Sequence, residues 1–272
     1  MKNLDLLPGL DNDIKQSLIK QLRNLWTHTS TAIEGNTLSL GETAFVIEEG
    51  LTVSGKPLKD HEEVVGHARA IELIYSYIAR NSGITKEDLF DLHKAVQIEQ
   101  ITDIYKPVGK WKVEPNGTTA ITDNQQQVFL EYAAPNAVPA LMDNWFEIVN
   151  RFLKDKLNSD QALTAYAEIH ISLVRIHPFF DGNGRIARLV ANLPVISSGL
   201  PPIIIPVEKR REYIQLLSKY ELAVGQPMVG KPLLPRKELL IDFMKFCDSA
   251  WKQSLELVEA AQDKQLARNK LV

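Results

Sequence analysis

The 272-residue chain has almost no cysteine. Its single one, Cys247, excludes an intrachain disulfide and fits a reducing compartment. That residue stands among Phe243, Met244 and Phe246, so it reads as a buried, inert thiol. Excess charge of one sign is scarce as well: 31 Lys+Arg face 34 Asp+Glu, the net charge is −3, and no long basic run occurs. That balance argues against a broad electrostatic footprint for nucleic acid. No apolar run approaches the length needed to span a bilayer. The opening MKNLDLLPGL is too interrupted, by Asp5 and Pro8, to act as a signal h-region. A GxxxxGK[ST] phosphate loop is missing, which disfavours a P-loop NTPase. His28, His61 and His67 lack metal-ligand spacing with any cysteine. The expectation is a soluble, cytoplasmic protein with no membrane contact.

What the chain does have is helical periodicity. Ile14, Leu18, Leu22, Leu25 and Ile33 form one stripe, started by Asp11 or Asp13 and closed by Gly35. Ser39 with Glu42 makes a capping box for a short helix ending near Gly50, and residues 51–59 read as a loop or small hairpin. Further helices are expected over about residues 60–80, 85–98, 139–157, 161–176, 183–197 with Pro194 kinking it or marking its last turn, 208–224 and 236–266. Arg268 and Lys270 should fray. Residues 161–176 are apolar almost all round, the mark of a central buried helix. The helical period fails over residues 104–121, where Asn116-Gly117 signals a β-hairpin turn. The fold class is therefore all-α, a helical bundle with one β-hairpin. We divide it into an N-terminal region, residues 1–58, a core domain, residues 59–225, and a C-terminal helical region, residues 226–272. The last of these is a packing or oligomer helix, so a homo-oligomer stays open.

Residues 177–188 read HPFFDGNGRIAR. His177 precedes Pro178, which pushes it out of helical geometry and ends the preceding helix. Gly182 and Gly184 allow a sharp turn and close approach of a ligand. The amides that follow open a new helix, and a helix N-terminus favours anions. Arg185 and Arg188 project from one face of that helix, where guanidinium forks grip phosphate oxygens. Asp181 is a hard oxygen ligand suited to Mg²⁺.

The stretch resembles the signature loop of Fic-domain proteins, H-P-F-x-[DE]-G-N-G-R-x-x-R, and fills each of its fixed positions. The resemblance implies a helical fold with a hairpin flap beside the active-site loop. It also implies transfer of AMP from ATP to a Ser, Thr or Tyr hydroxyl of a protein target, self-modification included. His177 would be the general base and Asp181 would hold Mg²⁺. Gly182, Asn183 and Gly184 would hold the α-phosphate, Arg185 the β-phosphate and Arg188 the γ-phosphate. Phe179 reads as a core anchor of the loop. Gly184 stands where phosphorylating relatives carry lysine, which favours attack at the α-phosphate. Residues 109–121 resemble the flap, with Lys110 and Trp111 as candidate target contacts by strand addition.

Upstream, Ser30-Thr31-Ala32-Ile33-Glu34-Gly35 matches the family's inhibitory pattern [ST]-x-x-x-E-[GN]. Ser30 and Glu34 share a helix face, and a carboxylate delivered to Arg188 would take the γ-phosphate's contact. The resemblance thus implies a self-inhibited protein adenylyltransferase with an N-terminal inhibitory helix. Two alternatives stay open: a Mg²⁺-dependent hydrolase that removes AMP, with Glu34 positioning water, and a non-catalytic ATP-sensing module. His93 and His170 read as packed, hydrogen-bonded groups. Tyr213, Tyr220 and Leu217 fit either an adenine pocket or the core.

Overall fold

A computed structural model describes residues 9–97, 103–121 and 126–270. The expected helix end at Ile98 and the first eight residues lie outside them. Among the described residues there are ten α-helices and one two-stranded antiparallel sheet. No helix among them is long and apolar enough to cross a membrane.

Helix α1 (Asn12–Ile33) is followed by α2 (Leu40–Glu49), whose Ser39–Glu42 capping box and left-handed Gly50 match the sequence reading. Helix α3 (Leu58–Arg80) leads to α4 (Lys86–Val96), capped reciprocally by Thr85 and Asp88. Strands β1 (Gly117–Ile121) and β2 (Gln127–Glu131) pair with Gly117 opposite Glu131. Then come α5 (Val138–Phe152) and α6 (Ser159–Ile176). Helix α6 is buried along nearly its whole length and is the axis of the core, contacted by α5, α7, α8 and α10. Short helices α7 (Asn183–Val190) and α8 (Leu193–Ser197) follow, then α9 (Arg210–Val224) and α10 (Ile241–Asn269).

Four expectations need correction. The hairpin lies further along the chain than its Asn-Gly signal: Gly117 opens β1 instead of making the turn. A Cβ at Gly117 would sit 2.5 Å from the Leu130 carbonyl, so glycine is required there by the facing strand. The single helix expected through Pro194 is two, interrupted after Val190, with Pro194 in the first turn of α8 where its missing N–H does no harm. Asp11 occupies the N-cap of α1 but makes no side-chain cap bond, because its carboxylate pairs with Arg268 at 2.7 Å. Arg268 consequently does not fray. It also grips Asp13 at 2.7 Å, and α10 runs on to Asn269 along α1.

Candidate active site

The end of α6 sets the geometry. His177 is its C-cap, in the left-handed region with φ 52° and ψ 60°, and its N–H donates to Leu173 O. A non-glycine residue before proline gains nothing from that conformation, which costs on the order of 1–3 kcal/mol unless its surroundings hold it. They do. Phe179 is fully buried, stacked on His93 with ring centroids 3.9 Å apart. Gly109 N–H donates to His93 Nδ1 at 2.8 Å, so the proton sits on Nε2, which donates to Asp181 O at 3.1 Å. Burial pushes His93 down to about 4, fixing this neutral tautomer. Asn183 receives the Phe179 N–H on Oδ1 and donates from Nδ2 to Phe179 O, both at 2.9 Å. Gly182, at φ 79°, then starts α7.

The His177 ring stacks on Tyr132, with centroids 3.7 Å apart and planes 2° apart. Its Nδ1 lies 3.3 Å from Val174 O. A carbonyl only accepts, so Nδ1 carries the proton and the Nε2 lone pair is left as a base. Burial, reinforced by the Lys112 charge, lowers His177 to about 3. The imidazole is therefore neutral throughout the physiological range.

Two arginines of α7 are held differently. Arg185 donates to Val96 O at 3.0 Å and lies 3.5 Å from Asp181 and 3.8 Å from Glu63. Arg188 is 2% exposed. Its Nε donates to Ser30 Oγ at 3.0 Å, Nη2 to Ser30 O at 2.8 Å and to Glu34 Oε1 at 2.7 Å, and Nη1 to Tyr213 Oη at 3.4 Å. Burial works against the Arg188 charge, but Glu34 and Tyr213 outweigh it and the proton is held more tightly than usual. Glu34 itself lies in a hollow left by Gly184, where a Cβ would come within 2.7 Å of Glu34 Oε1. Asp181 keeps its carboxylate outward, 63% exposed. Among the described residues no group of three or more His, Cys, Asp or Glu side chains could hold a metal alone. One outward carboxylate suits a Mg²⁺ that takes its other ligands from phosphates and water.

Residues 83–195 match the Fic/DOC family. The chain carries a Fic/DOC family domain. A protein adenylyltransferase fic-1 from Caenorhabditis elegans is 34% identical over 218 residues, covering 78% of this chain and 39% of that protein. A protein adenylyltransferase Fic from Drosophila melanogaster is 33% identical over 189 residues, covering 69% and 35%. The chain thus spans well under half the length of these curated relatives. Among solved structures, a Fic domain containing signaling protein from Bacteroides thetaiotaomicron superposes with a TM-score of 0.80 at 26% identity, over 95% of this chain and 93% of that one. Fic-1 from C. elegans gives 0.65 at 25% identity, over 92% and 68%.

In this Fic domain the fold brings His177, Asp181, Gly182, Gly184, Arg185 and Arg188 onto one loop and helix start, and α1 carries Ser30 and Glu34 to it. The Asn183 side chain departs from the phosphate contact expected of it: it is 1% exposed and both ends of its amide are bonded to Phe179. Lys110 and Trp111 precede the hairpin instead of lining its edge. Lys110 is exposed, whereas Trp111 packs on Phe90 and Phe179 with centroids 4.5 and 5.4 Å away. Tyr213 and Tyr220 are buried in the core, while Leu217 reaches a cavity of about 90 Å³ shared with Tyr132, Val174 and Glu221. Sequence reading missed Tyr132 and Lys112 beside His177. Neither lies in a recognisable motif, and only the folded arrangement brings them near His177.

Proposed function

We propose that this Fic domain transfers AMP from ATP to a hydroxyl of a protein and is held in check by Glu34. The observation that carries the reading is the 2.7 Å contact between Glu34 Oε1 and the buried Arg188 beside a neutral His177. The adenylyltransferase names of its relatives support the chemistry. His177 Nε2 accepts the proton of the acceptor Ser, Thr or Tyr. The hydroxyl oxygen bonds to the α-phosphorus, the bond from that phosphorus to the bridging oxygen breaks, and pyrophosphate leaves. The backbone amides of Gly182 and Gly184 face the α-phosphate at the start of α7. Arg185 and Arg188 neutralise the β- and γ-phosphates. Asp181, together with the phosphates, would hold a Mg²⁺, which would supply further charge neutralisation. The base of the nucleotide lies toward Leu217.

In this scheme ATP's γ-phosphate and Glu34 compete for one guanidinium. With Glu34 in place the triphosphate is displaced and the α-phosphorus is not in line with the hydroxyl. Incubation with Mg²⁺ and ATP labelled at the α-phosphate tests this. Label on protein in Glu34→Gly and little in wild type is the expected result, and label surviving in His177→Ala removes the assigned base. A second reading has one specific support: Glu34 engages Arg188 through Oε1 alone, and its side chain is 39% exposed. The free oxygen could then hold a water for removal of AMP. An AMP-modified substrate that loses AMP only when Glu34 is present selects that reading.

A further inference from the structure

Residues 30–37, which carry Ser30 and Glu34, are held from more sides than Arg188 alone. On the α3 side Asn36 Nδ2 donates to Asp60 O and to Glu63 Oε2, both at 2.9 Å, and the Thr37 N–H donates to Asp60 Oδ2 at 2.8 Å. From α9 one side chain reaches across: Arg210 Nε donates to Ile33 O at 2.6 Å. Ile33 is the last residue of α1, where carbonyls lack partners within the helix and a cation is favoured. Helix α1 has no basic residue of its own in its last turn, so Arg210 supplies that charge from another helix. Among the described residues no carboxylate pairs with Arg210, so the carbonyl is what holds it there.

The Ile33 carbonyl and the Glu34 N–H are the two ends of one planar peptide unit. Its N–H donates to Thr31 O at 3.0 Å while its oxygen accepts from Arg210, so the plane cannot turn without breaking one of the two bonds. The direction of the Glu34 side chain follows from that plane. The same helix also meets the other partner. Tyr213 lies three residues beyond Arg210 on the same face of α9, and its Oη accepts from Arg188 Nη1 at 3.4 Å. The first turn of α9 thus touches both halves of the Glu34–Arg188 contact.

We propose that Arg210 is a positioning residue for Glu34: by holding the Ile33 carbonyl it aims the carboxylate at Arg188, and the first turn of α9 is the clasp that sets the brake. The inference rests on Glu34 competing with the γ-phosphate for Arg188. Arg210 acts through the peptide unit between Ile33 and Glu34. Loosening it therefore releases the brake with Ser30, Glu34 and Arg188 all unchanged.

The test uses the full chain as wild type, Glu34→Gly, Arg210→Met and the double variant. Arg210 is exposed and methionine keeps an unbranched apolar stem, so folding is not at stake. Amide hydrogen exchange reads the clasp directly. The Glu34, Gly35 and Asn36 N–H groups, bonded to Thr31 O, Ala32 O and Thr31 O, should exchange several-fold faster in Arg210→Met. Calorimetric titration with Mg²⁺ and a non-hydrolysable ATP analogue reads the brake. Arg210→Met should tighten binding by about 3–10-fold, the size of one solvent-exposed hydrogen bond. Added to Glu34→Gly, it should change binding by less than about twofold. Unaltered exchange at the three amides, weaker binding, or an equal change in both backgrounds overturns the proposal. Tighter binding in Glu34→Gly but not in Arg210→Met removes the clasp alone, whereas no gain in Glu34→Gly removes the brake and the clasp with it.

Discussion

Replacing Glu34 by Gln isolates what its charge does, because the amide keeps the shape and one hydrogen-bonding oxygen. A hydrogen bond to a charged group contributes about 1.5–3 kcal/mol net. Here the lower end applies, for two reasons. The Glu34 side chain is 39% exposed, so water screens it. Arg188 also keeps Ser30 Oγ, Ser30 O and Tyr213 Oη, so the substitution does not strand a bare cation. A loss of about 1–2 kcal/mol should lower Tm by about 2–8 °C for a chain of this size. The same free energy no longer opposes a γ-phosphate at Arg188, so Mg²⁺-ATP should bind about 5–30-fold more tightly. Melting without nucleotide, and calorimetric titration with a non-hydrolysable ATP analogue, read the two sides separately. A substitution that merely damaged the site would lower both stability and affinity. Unchanged or weaker nucleotide binding in Glu34→Gln therefore refutes competition for Arg188, whatever happens to Tm.

Gly184→Ala should destabilise the protein by about 1–3 kcal/mol, since its Cβ would meet Glu34 Oε1 at 2.7 Å. Most of that loss should vanish in a Glu34→Gly background, and equal losses in both backgrounds by chemical denaturation would contradict the hollow described for Glu34. Tyr213→Phe removes a hydroxyl that bridges Arg188 Nη1 and His170 Nε2 at 3.4 and 2.9 Å. It should cost about 1–2 kcal/mol by leaving the buried His170 without its partner, and an unaltered denaturation midpoint would show the bridge to be idle. Stability should also fall with acid. His93, His170 and His177 are held at about 4, 3 and 3, below the ordinary value of 6.5. The unfolded chain therefore binds more protons than the native one at any pH between those values. Each group should remove about 1.4 kcal/mol per pH unit as pH drops below 6.5, until its folded value is reached. Urea unfolding at pH 7, 6 and 5 with one common midpoint would refute that burial.

The signature loop was legible because its residue types answer backbone demands that sequence alone expresses. A left-handed turn needs Gly182, a hollow needs Gly184, and arginines in the first turns of a helix, where the macrodipole disfavours a cation, point to an anion site. The helices were legible through capping pairs such as Ser39–Glu42 and Thr85–Asp88, which are local in the chain. Misreadings arose where a local signal was claimed by a distant partner. Asn116 and Gly117 looked like a turn, but the asparagine is bonded to Phe179 and Lys112 and the glycine is required by strand β2. Asp11 looked like a cap, but Arg268 takes its carboxylate. Asn183 looked like a ligand contact, but the loop uses it to hold Phe179. Lys112 and Tyr132 carried no local signal at all, since their meaning comes only from lying against His177.

The contact between Glu34 and Arg188 joins residues 154 positions apart, with the α1 side first in the chain. Order along the chain becomes order in time when a protein is synthesised, because N-terminal segments leave the ribosome first. Helix α1 is therefore already outside, with Ser30 and Glu34 waiting, when the loop at His177 and the arginines of α7 emerge. Glu34 is thus in place to meet Arg188 as soon as α7 has folded. The brake is therefore present from the start of the site's existence, and an unrestrained site is reached by undoing that contact.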